Sequence, residues 1–239
     1  MTYIQDILDS QKELKIISRT KEEIICKAKR GPSKITRIPL KMSENLIFLI
    51  AAIMGDGHLK KHKMQITFEC TNKVLIEKLK YIFKSTFKRN FNIYSVKARL
   101  GRLPSFHMCI DSKSIYNFFK VVFQIPSGKK SDIVKVPKYV QISNKSIKTA
   151  FLIGILVTEG GKRRRGFGLS TASNDLWGGI IMLFANLHIP IFTDKWIYKK
   201  YNKEYYGISF KKKEILKIAN KCKNKNIGRI LLNHDNLKI

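Results

Sequence analysis

The chain has 239 residues, 44% of them hydrophobic and 10% aromatic, enough apolar material for one large or two small cores, which excludes a disordered chain. Forty-seven Lys and Arg stand against seventeen Asp and Glu, and the net charge of +30, spread over the whole length, implies a polyanionic partner. Cys26, Cys70, Cys109 and Cys222 show no CxxC spacing, which argues against structural zinc or a disulfide framework, and the longest apolar runs, near 46–54 and 150–157, are too short to cross a bilayer.

Residues 1–42 read as an N-terminal extension with little interpretable pattern. Its start, MTYIQDILDSQKELK, has no apolar core of signal-peptide type, so a cytoplasmic, nucleoid-associated protein is expected. A first unit follows at 43–124. It opens with the apolar helix that ends LIAAIMGDG, where Asp56 stands between two glycines. A basic turn, the strand-like MQITFECTN (64–72) and a helical pattern over 74–87 come next. NIYSVKARL (92–100) and SFHMCID (105–111) then read as two strands before the helix KSIYNFFKVVF.

The stretch 125–143, with two prolines and a cluster of lysines, reads as a basic linker. The second unit, 144–224, repeats the plan of the first. LIGILVTEG (152–160) is another apolar helix ending in one carboxylate, Glu159, before glycine. After it come the turn GKRRRG, the strand FGLSTASN, the helix DLWGGIIMLFANL, two strands over 191–201 and 205–213, and the helix EILKIANKC. A tail covers 225–239. Asn72 and Asn174 fall at matching places, each opening a helix.

Positions four apart share a helix face, so Ala51 with Gly55, and Gly154 with Thr158, give each motif helix a stripe of small residues that allows close packing. Helices packed along those stripes bring Asp56 and Glu159 together near the negative ends of two helix dipoles. That arrangement calls for a cation. Two carboxylates, the backbone oxygens of Gly55 and Thr158, and water suit Mg²⁺, with Mn²⁺ as a substitute, and metal-assisted phosphodiester hydrolysis is the chemistry such a site commonly serves.

LIAAIMGDG and LIGILVTEG, at this separation and with the same elements after each, resemble the two motifs of the LAGLIDADG homing endonucleases of the single-chain, archaeal intron-encoded kind. The resemblance covers about residues 43–222. It implies an α+β fold of two pseudo-symmetric αββαββα repeats, with saddle-shaped antiparallel sheets in the DNA major groove and a central two-helix interface. Asp56 and Glu159 take the position of the family's metal-binding acids. Met54 and Val157 depart from the motif's sixth position, and Ile50 and Ile153 from its second; the sixth is not a metal ligand in the family.

By position, Asn72 and Asn174 look like the family's polar strand-end residues and Lys162 like its active-site lysine, with Lys130 in the linker a further catalytic candidate. Each has a plainer reading: a helix cap for the asparagines, a phosphate contact for Lys162, a solvated linker charge for Lys130. DNA contacts are expected from the sheets. Alternation in SVKARL puts Ser95, Lys97 and Arg99 on one face, against Val96, Ala98 and Leu100 on the other. Lys195 and Lys199 are their counterparts, with Arg102, Arg163, Arg164, Arg165 and Lys211 as further basic candidates. His58 and His62 beside the first acid read as part of a phosphate-facing basic turn rather than as metal ligands.

The function expected on these grounds is site-specific double-strand cleavage of a long, asymmetric DNA target by a monomer. The alternatives are a maturase that binds intron RNA with the same fold, and a DNA-binding regulator whose catalysis has decayed. The start at Met-Thr and the end NHDNLKI argue against a protein-splicing domain.

Overall fold

Residues 14–39, which carried no interpretable pattern, form three antiparallel strands: β1 (Leu14–Arg19), β2 (Glu23–Ala28) and β3 (Thr36–Pro39) in the order β1-β2-β3. The computed structural model describes residues 14–30, 35–98, 101 and 103–234. They fall into two compact units, one running to Leu49 and resuming over Gly57–Gly128, the other built from Ile50–Asp56 and the chain from Lys129 onward.

In chain order, α1 (Glu44–Met54), whose residues from Ile50 on count with the second unit, is followed in the first by β4 (His58–Lys60) and β5 (Gln65–Cys70), then α2 (Lys73–Phe87), β6 (Asn92–Val96), β7 (Ser105–Asp111) and α3 (Lys113–Asn117). The helix expected over 113–123 is α for five residues and then widens to a π-helical turn, Phe118–Val122, which buries Phe118, Phe119 and Val122. The strand expected over 92–100 ends at Val96.

The four strands lie in the order β4-β5-β7-β6. Alternation along β5 and β7 sends Ile66, Phe68, Met108 and Ile110 to one buried face, where Phe68 meets Phe83 of α2 edge-on at 5.8 Å. Phe83, Phe87, Phe118, Phe119 and Phe123 interlock behind it, at centroid separations typical of aromatic pairs. The three-stranded sheet buries Ile24, Cys26 and Ile38 against α2 and α3.

The second unit follows the same order: α4 (Lys138–Gln141), a single turn in the linker stretch, precedes α5 (Lys145–Glu159), β8 (Gly160–Arg163), β9 (Gly166–Thr171), α6 (Asn174–Asn186), β10 (Phe192–Tyr198), β11 (Lys203–Phe210), α7 (Lys213–Lys221) and α8 (Lys225–Leu232). Its strands lie in the order β10-β11-β9-β8, the first sheet's arrangement with each strand in the equivalent place. The molecule is therefore α+β, with the helix–two strands–helix–two strands–helix order present twice. Among the described residues no helix is long and apolar enough to cross a membrane.

Candidate active site

α1 is apolar all round, and every residue from Leu46 to Met54 is buried, as expected of a helix without a solvent face. Its last turn runs on through Gly55, whose N–H donates to the Ala51 carbonyl at 2.9 Å. Here the glycine is required by packing: a Cβ on Gly55 would stand 2.1 Å from Thr158 Oγ1 and 3.3 Å from Glu159 Cγ. The end of α1 thus meets the end of α5 at the stripe of small residues, and Asp56 and Glu159 leave the two helix ends side by side. Both belong to the second compact unit.

Lys130 joins them. Its Nζ donates to the carbonyl oxygens of Ile53 and Gly55, two acceptors at the C-terminal end of α1. A side chain expected in a solvated linker is half-buried instead. The reason is that the linker is anchored to the second unit on its far side. Lys203 pairs with Asp132, the Ser173 hydroxyl donates to the Val134 carbonyl, and Val136 packs where a Cβ on Gly179 would approach within 2.6 Å. Val134 and Val136 are buried and alternate with exposed Lys135, the one local signal that marked this segment as packed rather than free.

The electrostatics follow from this crowding. Loss of hydration pushes Asp56 up to about 6, against the attraction of Lys130. Glu159 is pushed up to about 7, first by loss of hydration and then by the negative charge of Asp56, again opposed by Lys130. Lys130 is drawn down to about 8 by burial, with Glu159 and Asp56 pulling the other way. By accessible area both carboxylates are exposed. Two carboxylates that each hold a proton more tightly than usual form a site that favours positive charge, and in this respect the donor set fits a divalent cation.

A cavity of about 280 Å³ runs from Glu159 and Lys130 to Ser170, Thr171 and Tyr205. Among the described residues there is no cluster of three or more His, Cys, Asp and Glu that could hold a metal without oxygens from elsewhere. Of the backbone oxygens expected as further ligands, that of Gly55 accepts from Lys130; the side-chain hydroxyl of Thr158 turns back to the carbonyls of Gly154 at 3.0 Å and Ile155 at 3.2 Å.

No family model matches the chain. Among curated proteins of Methanocaldococcus jannaschii, it is 27% identical over 166 residues to the replication factor C small subunit, matching 70% of this chain and 9% of that protein. It is 24% identical over 214 residues to a probable translation initiation factor IF-2, matching 84% of this chain and 17% of that one. The chain therefore spans less than a fifth of the length of either relative. Among solved structures, it superposes on a variant of I-DmoI in complex with its target DNA at a TM-score of 0.51 and 14% identity, over 78% of this chain and 97% of the other. The homing endonuclease I-WcaI bound to its DNA recognition sequence gives 0.50 and 19%, over 77% and 83%.

The chain has the LAGLIDADG homing-endonuclease fold.

Within that fold the remaining candidates take definite places. Asn72 caps α2, accepting the Leu75 N–H at 2.9 Å. Asn174 is not its equivalent: Ser173 caps α6, accepting the Leu176 N–H at 3.1 Å, and Asn174 is the exposed first residue of the helix. Lys162 is exposed on β8, opposite Phe167, and Lys130 rather than Lys162 is the cation that the two carboxylates feel.

Strand register corrects the expected faces. Ser95 pairs with Phe106 and Ile93 with Met108, so Ser95 lies on the helix-covered side of the sheet; Asn92, Tyr94 and Val96 lie on the open side with Cys109, His107 and Ser105. Lys97 follows the strand and is exposed. Lys195 pairs with Tyr206, also on the helix-covered side, and its ammonium stands 5.2 Å from the Trp177 ring centre and 4.9 Å from that of Tyr206. The open side of β10 carries Asp194, Trp196 and Tyr198 instead. Ser95 and Lys195 are nonetheless exposed, as expected of residues on the edge strands β6 and β10; alternation identifies two faces without saying which of them a helix covers.

Arg163 is on the open side, donating to Ser170 Oγ at 2.7 Å. Arg164 and Arg165 are exposed in the β8–β9 turn, with Arg165 over the Phe192 ring at 4.9 Å. Lys199, in a 3₁₀ turn after β10, and Lys211, after β11, are exposed. Arg99 and Arg102 lie outside the described residues.

Proposed function

We propose that this chain is a divalent-metal-dependent endonuclease that hydrolyses phosphodiester bonds in both strands of a long, asymmetric duplex DNA, acting as a monomer. The observation that carries the reading is the convergence of Asp56, Glu159 and Lys130 at the packed ends of two helices. Asp56 and Glu159 would hold Mg²⁺, which Mn²⁺ could replace, and the ion would supply an activated water and charge neutralisation at the phosphate. Lys130 offsets the repulsion between the carboxylates, and its ammonium is close enough to the acids to stabilise negative charge developing on a phosphate brought to them. The +30 net charge supplies the nonspecific attraction to DNA.

The relatives add a second line of support. One module, matched in two proteins with unrelated names and making up less than a fifth of each, behaves like a unit that moves between host genes. A splicing role on intron RNA is the second reading. It is favoured by the aromatic cluster of Trp196, Tyr198 and Tyr205 on the open side of β10 and β11, where unpaired bases could stack.

The test is cleavage of a randomised duplex library with Mg²⁺, the cut sites being recovered by sequencing. Asp56→Asn or Glu159→Gln should reduce cutting by about 10³-fold or more, while affinity for the recovered site changes by less than about threefold. A chain that cuts no duplex, or variants that still cut, would refute the reading.

A further inference from the structure

The first unit holds a cavity of about 780 Å³ that neither acid lines. Its floor is the open side of the sheet, at Gln65, Asn92, Tyr94 and His107. Its walls are the β4–β5 turn, the α2–β6 turn, the start of α3 and the end of β2. Four cationic side chains, Arg30, Lys63, Arg89 and Lys113, face it, against one carboxylate, Asp111.

We propose that the basic rim of this cleft, at Arg30 and Lys63, seats the sugar–phosphate backbone of duplex DNA, extending the contact beyond the base edges that Gln65 and Asn92 on its floor would meet. The proposal rests on the duplex-DNA reading above and adds a surface that the twofold repeat does not contain. One wall belongs to the three-stranded N-terminal sheet, through Ala28 and Arg30, and that sheet has no counterpart in the αββαββα plan. The superposition agrees in extent, since I-DmoI is 97% covered by 78% of this chain and about a fifth of this chain is left over.

Chemistry selects the occupant. The excess of positive charge selects an anion, and a cleft this large is too wide for a single phosphate ion. It is continuous with the polar open face of the sheet, so a duplex lying on that face would run its backbone into it. Arg89 is fixed in advance: its guanidinium donates to the Asp111 carbonyl at 2.8 Å and lies 6.0 Å from the Phe91 ring centre. A cation already held in place loses little freedom on meeting a phosphate. Arg30 and Lys63 are exposed at the rim and can be changed without touching the core.

The experiment compares the wild-type chain with an Arg30→Glu/Lys63→Glu double variant. Binding to a mixed-sequence duplex is measured across salt concentrations, and the tightest-binding duplex from a randomised library is footprinted with hydroxyl radicals. Two lost phosphate contacts should lower the salt slope by about 2 and the affinity roughly tenfold. Protection should shorten at one end only, with the cut positions and the thermal midpoint unchanged, and an Arg30→Lys/Lys63→Arg variant should restore the wild-type slope. An unchanged slope and footprint overturn the proposal while leaving the endonuclease reading intact. A wild-type chain that protects no duplex overturns both. Substitutions that weaken binding to a structured RNA but not to the duplex assign the cleft to RNA and overturn it as well.

Discussion

The two sheets have the same strand order and the same antiparallel pairing, yet their open faces are chemically unlike. The first presents His58, Lys60, Gln65, Thr67, Glu69, Asn92 and His107, a mixed set of donors and acceptors, with the Ser105 hydroxyl donating to Glu69 at 2.7 Å. The second has a floor of small residues, Gly161, Gly168, Ser170, Gly207 and Ser209, crossed by aromatic side chains. Gly207 is small for a reason that the register makes plain: a Cβ there would collide with the Asp194 carboxylate and reach 3.0 Å from the Trp196 ring. Trp196 lies nearly parallel to Tyr205, with centroids 6.0 Å apart. A duplicated backbone has thus kept its hydrogen-bond ladder, which any sequence can satisfy, while the outward-pointing side chains diverged. The first face suits reading base edges; the second suits gripping by shape and stacking.

The comparison can be broken at several strengths. The largest effect should come from the site that both motif helices build. Lys130→Met is expected to slow cleavage about 10²-fold with little loss of affinity, as on removal of a charge that meets the transition state, whereas Lys162→Met should slow it less than about threefold. Single-turnover rates at saturating protein measure both; the opposite ranking would return the role to the β8 lysine.

Next come the faces themselves. Gln65→Ala or Asn92→Ala should relax discrimination at individual base pairs by about 1–3 kcal/mol, and Ser95→Ala should not. Trp196→Ala should weaken binding to all sites alike. Selection of preferred sites for each variant separates the two behaviours, and a specificity change at Ser95 would reverse the assignment of faces.

A smaller effect is expected at Lys195, whose ammonium rests over Trp177 and Tyr206. Lys195→Met should cost about 0.5–1 kcal/mol of stability while changing DNA affinity less than a phosphate-contacting lysine would. Chemical denaturation and binding at one salt concentration give the two numbers.

The smallest effect is a pH dependence in the metal-free protein. Glu159 is raised from 4.5 to about 7 and Asp56 from 3.8 to about 6 on folding, so the folded state holds protons that the unfolded state has released. Their contribution to stability is present below about pH 4 and is lost as pH rises towards 7. Lys130, lowered from 10.5 to about 8, acts in a separate window, where stability recovers as pH rises from about 8 towards 10.5. Thermal melts of the wild-type chain and Glu159→Gln should converge at low pH, with the variant more stable near neutrality. Added Mg²⁺ should raise the wild-type midpoint and not that of the variant.

The sequence by itself determined most elements of the two repeats and the placing of one carboxylate at the end of each motif helix. Nine consecutive apolar positions, 46–54, read as a buried helix, and a carboxylate at its end, repeated at Glu159, marks a second helix of the same kind. The repeat order and the basic charge were legible for the same reason: both are local or summed properties of the chain. Tertiary structure decided the rest.

Lys130 reaches the acids because Asp132, Val134 and Val136 are held by Lys203, Ser173 and Gly179, partners 39 to 71 residues away that no local pattern announces. The cap of α6 fell to Ser173 rather than Asn174 because one hydroxyl could both accept from Leu176 and donate to Val134. The N-terminal strands were illegible because they belong to neither repeat and their apolar residues, Ile24, Cys26 and Ile38 among them, gain burial against α2 and α3, which lie far along the chain. Strand alternation fixed that Ser95 and Lys195 differ in side from Tyr94 and Trp196; which side stays open depends on where the helices pack, and a period-2 pattern carries no information about that.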